Sequence, residues 1–154
     1  MSKQKFFNRY FFLLIALMTG IFIFSHMPGE ESSKQSGLIV FLLEYMGLSV
    51  TKENLHRITF IVRKGAHMSE YFILTIVCIR YYRSICAEKI TFLAFITSFL
   101  YACSDEFHQT FIPGRAGQFT DVLVDSGGIV IALICYIIWK KLKKPVPSGK
   151  IFKL

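Results

Sequence analysis

Four stretches of the chain are dense in apolar residues, and polar or charged segments separate them. They cover residues 10–24, about 58–79, about 90–109, and 119–139. Helices of these lengths are long enough to cross a bilayer. The first stretch could be the apolar part of a signal peptide, but no small-residue cleavage site follows it cleanly, which favours an uncleaved helix through Ser25. The pattern predicts an all-α integral membrane protein with four transmembrane helices.

The connection between the first two predicted helices, residues 26–57, contains an apolar piece of its own at residues 38–48. Pro28, Gly29 and a Glu/Ser-rich stretch precede it. Because eleven apolar residues are too few to span a bilayer, the piece is predicted as a short helix that lies in the interface or re-enters the membrane.

Basic residues fall mainly on one side of the predicted membrane. Twelve of the 18 Lys and Arg residues flank the start of helix one, the connection between helices two and three, and the end of helix four, where the only acid is Glu88. The positive-inside rule then places both termini in the cytoplasm and the 26–57 connection outside. The predicted organisation is a cytoplasmic N-terminus at residues 1–9, one membrane domain at 10–139, and a basic cytoplasmic tail at 140–154.

Composition supports a membrane protein and excludes a nucleic-acid-binding one. The chain is 53% hydrophobic, too apolar for an ordinary soluble domain. Its net charge of +8 comes from clusters that flank membrane segments, a pattern that favours contact with anionic lipid over nucleic acid. The expected partners are therefore membrane lipids. The four cysteines have no CxxC spacing and are expected to be free thiols.

The unusual polar residues of the membrane segments fall at one level, in the outer leaflet. Lys64, His67 and Tyr71 are spaced i, i+3, i+7 and share a helix face. Carboxylates and an amide repeat at one-turn spacing on the next two helices, and a Pro-Gly turn between those helices carries an arginine. The predicted site comprises His67, Asp105, Glu106 and Asp121 as catalytic candidates and Lys64, Tyr71, Gln109, Arg115 and Asp125 as binding candidates. Ser25 and His26, at the outer end of helix one, are expected to complete the ring of polar groups.

These residues carry a resemblance to the VanZ-like family of small bacterial membrane proteins. The matching motifs are KGAH at 64–67 followed by Tyr71, DEFHQTFIPGR at 105–115, DVLVDSGG at 121–128, and SHMPG at 25–29. The resemblance implies a multi-pass protein of the bacterial cytoplasmic membrane with its site on the extracytoplasmic side. The family's founding member is associated with resistance to the glycopeptide teicoplanin. Many relatives have Asn where Asp125 stands.

Three interpretations of the site remain open at this stage. In an envelope enzyme, His67 would serve as general acid or base, and Asp105 and Asp121 would orient it or ligate a divalent ion. The carboxylates of Asp105, Asp121 and Asp125 are oxygen donors suited to Mg²⁺ or Ca²⁺. In a binding protein, Lys64 and Arg115 would hold an anionic lipid-linked envelope molecule or a glycopeptide without turnover. In a structural scaffold, the polar cluster would only hold helices together. No cofactor or metal is assigned by the sequence.

Overall fold

The described part of the chain folds into five α-helices. The computed structural model describes residues 3–143, with side chains for residues 9–143, and contains no β-strand in that range. The helices are α1 (Lys3–Ser25), α2 (Gly29–Tyr45), α3 (Leu55–Ser84), α4 (Ile90–Gln109) and α5 (Phe119–Leu142). This confirms the predicted all-α class. Of the predicted termini, residues 1–2 and most of the basic tail, 144–154, lie outside the described residues.

Two of the described helices are long and apolar enough to cross a membrane by themselves. These are α4 and α5, with mean hydropathies of 1.3 and 2.2. The pair formed by α1 and α2 also qualifies when it is taken as one broken span, and its two parts are bent by 106°. The structure therefore supports a membrane protein with two or three candidate spans among its described helices.

Helix α3 lies at the centre of the bundle although it carries many charged residues. It packs against each of the other four helices. Its inward side chains Tyr71, Leu74 and Cys78 are fully buried, and Ala94 of α4 and Ala132 of α5 are buried as well. Because other helices surround α3, its polar groups can be satisfied by neighbouring chain rather than by water or lipid.

A close approach between α3 and α5 depends on a glycine. A Cβ atom on Gly128 would collide with the backbone carbonyl of Met68. The neighbouring Gly127 faces only the Met68 sulfur, at an ordinary contact distance of 3.6 Å. Small residues of this kind let helix backbones meet closely in a membrane.

Helix α2 differs from the prediction because it begins at Gly29, so the Glu/Ser-rich stretch is helical. The helix has 17 residues, with Pro28 as its N-cap and Glu30 and Glu31 in the first turn. Acidic side chains there interact favourably with the helix dipole. The hydroxyls of Ser33 and Ser36 donate to carbonyls four residues earlier, which satisfies them inside the helix. Helix α3 is also longer than expected, running from Leu55 to Ser84.

Candidate functional site

A polar cavity of about 220 Å³ opens where α3 begins, α4 ends and α5 begins. We call this region the polar end of the bundle and the cavity the polar pocket. Its polar lining consists of Arg63, Lys64, His67, Gln109, Arg115, Gln118 and Asp121. Five of the nine residues predicted for the site therefore meet at one cavity.

The first polar contact in the pocket joins α3 to α5. Lys64 forms an ion pair with Asp121, and both side chains are largely buried, with exposures of 15% and 21%. The same lysine lies over the ring of Phe60, 5.3 Å from its centroid. One helical turn further along α3, His67 Nδ1 lies 3.7 Å from Glu70 Oε2 and has no hydrogen-bond partner in the described part of the chain.

Arg115 connects the loop after α4 to the end of α1. Its Nε donates to the carbonyl of Met27 at 2.9 Å and its Nη2 to the carbonyl of Phe24 at 3.0 Å. Its Nη1 donates to Gln109 Oε1 at 3.2 Å. One N–H on each terminal nitrogen remains for a ligand. Burial lowers the pKa of Arg115, Arg63 lowers it further and Asp105 raises it, but a guanidinium stays protonated at neutral pH.

The loop that carries Arg115 is held in place by two glycines. Gly114 has a φ of +74°, a left-handed conformation that a residue with a Cβ atom adopts only with strain. Gly29 donates its N–H to the Pro113 carbonyl at 3.1 Å, and a Cβ there would collide with the Gly114 carbonyl. The start of α2 and the loop thus pack backbone to backbone, and this packing fixes the position of Arg115 at the pocket.

Gln109 links Arg115 to two buried carboxylates of α4. While its Oε1 accepts from Arg115, its Nε2 lies 3.2 Å from Asp105 Oδ2 and 3.3 Å from Glu106 Oε1 and donates to them. Glu106 Oε2 also accepts from the backbone N–H of Gln118, at 3.2 Å. Asp105 and Glu106 are only 3% and 5% exposed. They support the wall of the pocket from behind rather than line it.

Deeper in the bundle, three polar atoms of predicted site residues have no hydrogen-bond partner in the described part of the chain. They are the Tyr71 hydroxyl, Asp105 Oδ1 and Asp125 Oδ2. Tyr71 and Asp125 are 0% and 1% exposed. Buried polar atoms without a hydrogen-bond partner are rare in folded proteins, so each of these three calls for an explanation. The structure thus separates the predicted site into the polar pocket and a buried layer beneath it.

Comparison with known families gives one result. The model of the family described as VanZ/LLP1 matches residues 10–140, which include all the residues of the polar pocket and the layer beneath it. The chain belongs to the VanZ/LLP1 family. No curated protein and no solved structure matches the chain. The resemblance stated from the motifs is therefore confirmed.

Two polar residues that line the pocket of this VanZ/LLP1 protein, Arg63 and Gln118, were not among the predicted site residues. Arg63 lines the polar pocket and also a second cavity of about 140 Å³ between α2 and α3, which His67 and Arg115 share. It makes no hydrogen bond or ion pair with the described residues. The sequence could have identified Arg63, because residues 63 and 67 lie one helical turn apart and share a helix face.

Two residues at the end of α1 also lie differently from expectation. Ser25 and His26 were expected to complete the ring of polar groups around the site. Instead Ser25 is buried and its hydroxyl has no partner among the described residues. His26 Nδ1 lies 3.1 Å from His108 Nε2, and both imidazoles pack near the ring of Phe22. This histidine pair is not among the residues that line the polar pocket.

A divalent-ion site built from Asp105, Asp121 and Asp125 is not formed. Within residues 9–143, no group of three or more His, Cys, Asp or Glu side chains is arranged to hold a metal ion. Asp121 pairs with Lys64 instead, while Asp105 is held by Gln109. The arrangement of the pocket is better suited to an anion than to a cation.

Proposed function

We propose that this protein resides in the bacterial cytoplasmic membrane and binds an anionic, lipid-linked envelope molecule in the polar pocket. It would cross the membrane four times, through α1, α3, α4 and α5, with both termini in the cytoplasm and the pocket facing the outer leaflet. The side that carries most Lys and Arg supports this orientation. Membership of the VanZ/LLP1 family supports an envelope role.

The observation that carries the proposal is the charge of the pocket lining. Arg63, Lys64 and Arg115 contribute three cationic side chains and His67 an imidazole, whereas Asp121 is the only acidic side chain of the lining and already pairs with Lys64. Arg63 has its guanidinium available, and Arg115 keeps one N–H on each terminal nitrogen. The planar guanidinium group of arginine presents paired N–H donors that match the geometry of phosphate and carboxylate oxygens. A phosphate group attached to a lipid therefore fits the pocket by charge and by its donors.

Arg63 provides the direct test because replacing it removes a pocket cation that makes no hydrogen bond or ion pair with the described residues. Protein purified in mild detergent would be analysed for co-purified lipids and lipid-linked precursors by mass spectrometry. We expect an anionic species on the wild type, reduced by about tenfold or more in Arg63→Gln, the size expected for one charge-assisted hydrogen bond. Arg57→Gln is the matched control, since Arg57 is exposed on the same helix outside the pocket. Identical profiles for all three proteins would refute the proposal.

The orientation can be tested with thiols already in the chain. Cys86 is exposed in the connection between α3 and α4, and Lys34 is exposed on α2. With Cys103 and Cys135 replaced by Ser, Cys86 should react with an impermeant maleimide only after the cells are permeabilised. In the same background, Cys86→Ser combined with Lys34→Cys should give labelling in intact cells. The opposite pattern would place the pocket on the cytoplasmic side.

Chemistry on the bound molecule is an extension of this proposal, and His67 would carry it. Its Nδ1 has no hydrogen-bond partner in the described chain, and an imidazole can exchange protons near neutral pH. Asp105, Glu106 and Asp121 would act as the supporting acidic groups. Envelope lipids of cells producing wild type or His67→Gln would be compared at equal protein level. A species that changes only with wild type would support catalysis, and unchanged chemistry with retained binding would support a binding protein.

The family association with teicoplanin extends the proposal to drug susceptibility. We expect the wild type and Arg57→Gln to raise the inhibitory concentration of teicoplanin equally, and Arg63→Gln to raise it less. Equal protection by Arg63→Gln would separate this protein's role from glycopeptides, while the binding proposal would still be judged by the lipid analysis.

A structural scaffold is the second candidate, and one observation favours it. Three nitrogens of Arg115 are already engaged by the bundle, and Lys64 joins α3 to α5 through Asp121. If the cluster only holds helices together, Arg63→Gln should leave every lipid and drug readout unchanged. Arg115→Lys would then lower the amount of folded protein and every readout in the same proportion.

A further inference from the structure

A third cavity, a groove between α3 and α5, lies at the opposite end of the bundle, far along both helices from the polar pocket. Its volume is about 200 Å³, and its lining includes Ile76, Ile79, Arg80, Arg83, Tyr136 and Trp139. We call it the basic groove, and the end of the bundle that carries it the basic end. Under the proposed orientation, it opens at the cytoplasmic leaflet.

Both helices change character in the same order along the groove. On α3, Ile76, Arg80 and Arg83 follow one another at i, i+4 and i+7, so one helix face passes from apolar to basic. On α5, Tyr136 and Trp139 line the groove, and Lys143, the C-cap residue just past the end of the helix, follows them at i+7. The groove therefore has an apolar floor, an aromatic middle and a basic rim. Acyl chain, interface and head group of a phospholipid follow one another in this order.

The basic rim carries positive charge that the described chain does not neutralise. Arg83 lies over the Trp139 ring with its guanidinium carbon 5.2 Å from the centroid, and Lys143 Nζ lies 4.6 Å from the same centroid. Two cations thus converge on one indole. Neither forms an ion pair within the described residues, and the groove lining contains no acidic side chain. A phosphate placed between them would remove their mutual repulsion.

From the groove shape, the order of side chains and the unneutralised rim, we infer that the basic groove binds one anionic phospholipid. The acyl chain lies along Ile76 and Ile79. The phosphate accepts from the cations of the rim, which are Arg80, Arg83 and Lys143. Basic pockets between membrane helices on the cytoplasmic side are suited to such head groups. This site is separate from the polar pocket and requires only that the bundle be embedded in a bilayer.

The chain contains its own probe for this site, because Trp139 is its only tryptophan. The full-length protein would be reconstituted into equimolar phosphatidylcholine and phosphatidylglycerol, with bromine on the acyl chains of one lipid or of the other. Bromine quenches indole fluorescence at short range. If lipids contact the groove at random, quenching is the same for both labels. We expect stronger quenching when phosphatidylglycerol carries the bromine.

Substitution at the rim tests which residues cause the preference. Arg80→Gln should lower the relative association constant for phosphatidylglycerol about fivefold, the effect of one basic side chain near an anionic surface. Arg80 has no recorded contact with the indole, so the fluorophore keeps its surroundings. Arg9→Gln is the control, since Arg9 is an exposed cation near the same end of the bundle, on α1. Equal emission from all variants in pure phosphatidylcholine would show that the fold is intact.

Three results would overturn the inference. The first is equal quenching by the two labels in the wild type. The second is an equal loss of preference in Arg9→Gln and Arg80→Gln, which would indicate diffuse attraction to an anionic surface. The third is loss of the preference on addition of inorganic phosphate, which would assign the rim to a soluble anion. None of these outcomes depends on Arg63 or on the polar pocket, so the proposed function is judged separately.

Discussion

The same two helices, α3 and α5, form both ends of the bundle, but the two ends use charge differently. At the polar end, Gly128 brings the α5 backbone against Met68, and Lys64 turns inward to Asp121. At the basic end, the helices leave a groove, and Arg83 lies exposed on the ring of Trp139. Inward charges are fixed by other helices, so their removal should damage the fold. Outward charges act on what surrounds the protein, so their removal should change only what it contacts.

The largest effect is expected where the polar end is packed most closely. Gly128→Ala places a Cβ atom against the Met68 carbonyl and forces α3 and α5 apart. We expect a loss of about 3 kcal/mol in stability, the upper end of typical overpacking costs. The readout is the thermal midpoint of detergent-purified protein.

Gly127→Ala is the control for that substitution, because its Cβ would meet only the flexible Met68 sulfur at 3.6 Å. It should be neutral or slightly stabilising, since Ala favours a helix over Gly. Equal midpoints for the two variants would mean that the helices are not held at the distance described here.

The next largest effect is expected at Arg115. Arg115→Lys keeps the charge but loses the planar fork that reaches Phe24, Met27 and Gln109. We expect a loss of about 2 kcal/mol, the combined effect of two or three hydrogen bonds. The measurement is again the thermal midpoint, with Arg57→Lys as the charge-conserving control. A midpoint unchanged from the wild type would show that the guanidinium does not hold the end of α1.

A smaller effect is expected for the ion pair between α3 and α5. Lys64→Met leaves Asp121 without its partner, and we expect a loss of about 1–2 kcal/mol, because the pair is partly exposed. Adding Asp121→Leu should restore part of that loss, since no charge is then left unpaired. A double-mutant cycle measures this coupling. Additive losses would indicate that the two side chains act independently.

The smallest effect on stability is expected at the basic end. Arg83→Gln removes an exposed cation from the Trp139 ring, and we expect a change of about 0.5 kcal/mol. The same substitution should strongly reduce the preference for phosphatidylglycerol. A stability loss as large as that of Arg115→Lys would erase the distinction between inward and outward charges.

Much of the fold follows from local pattern, and the exceptions have physical causes. Helix α4 runs from Ile90 to Gln109, as predicted, because a largely apolar run up to Cys103 is followed by polar residues that keep helical spacing. The first half of α2 was expected as loop because Glu and Ser are common outside helices. The hydroxyls of Ser33 and Ser36 donate to carbonyls one turn back, and Glu30 and Glu31 lie at the positive end of the helix dipole. A hydropathy pattern does not contain these local hydrogen bonds and dipole interactions, which allow polar residues to form a helix.

The candidate site was predictable in part for the same reason. Lys64, His67 and Asp121 were found because helical spacing and loop position place them at one level. The division between a pocket and a buried layer was not predictable, since it depends on which face of each helix meets α3. The contacts of Arg115 with the end of α1 cross 88 and 91 residues of sequence, and no local pattern reports them.

That span of sequence has a consequence for how the chain is made. The carbonyls of Phe24 and Met27 leave the ribosome long before Arg115 is synthesised. At about 5–20 residues per second, the delay is roughly 5–20 s. During that time the Phe24 carbonyl keeps only the N–H of Met27, at 3.3 Å, as its donor among the described residues. The Met27 carbonyl must meanwhile accept from another donor, such as interfacial water or the insertion machinery. Closure of the nascent bundle therefore waits for the loop between α4 and α5, and a protein truncated before that loop should leave the corner open.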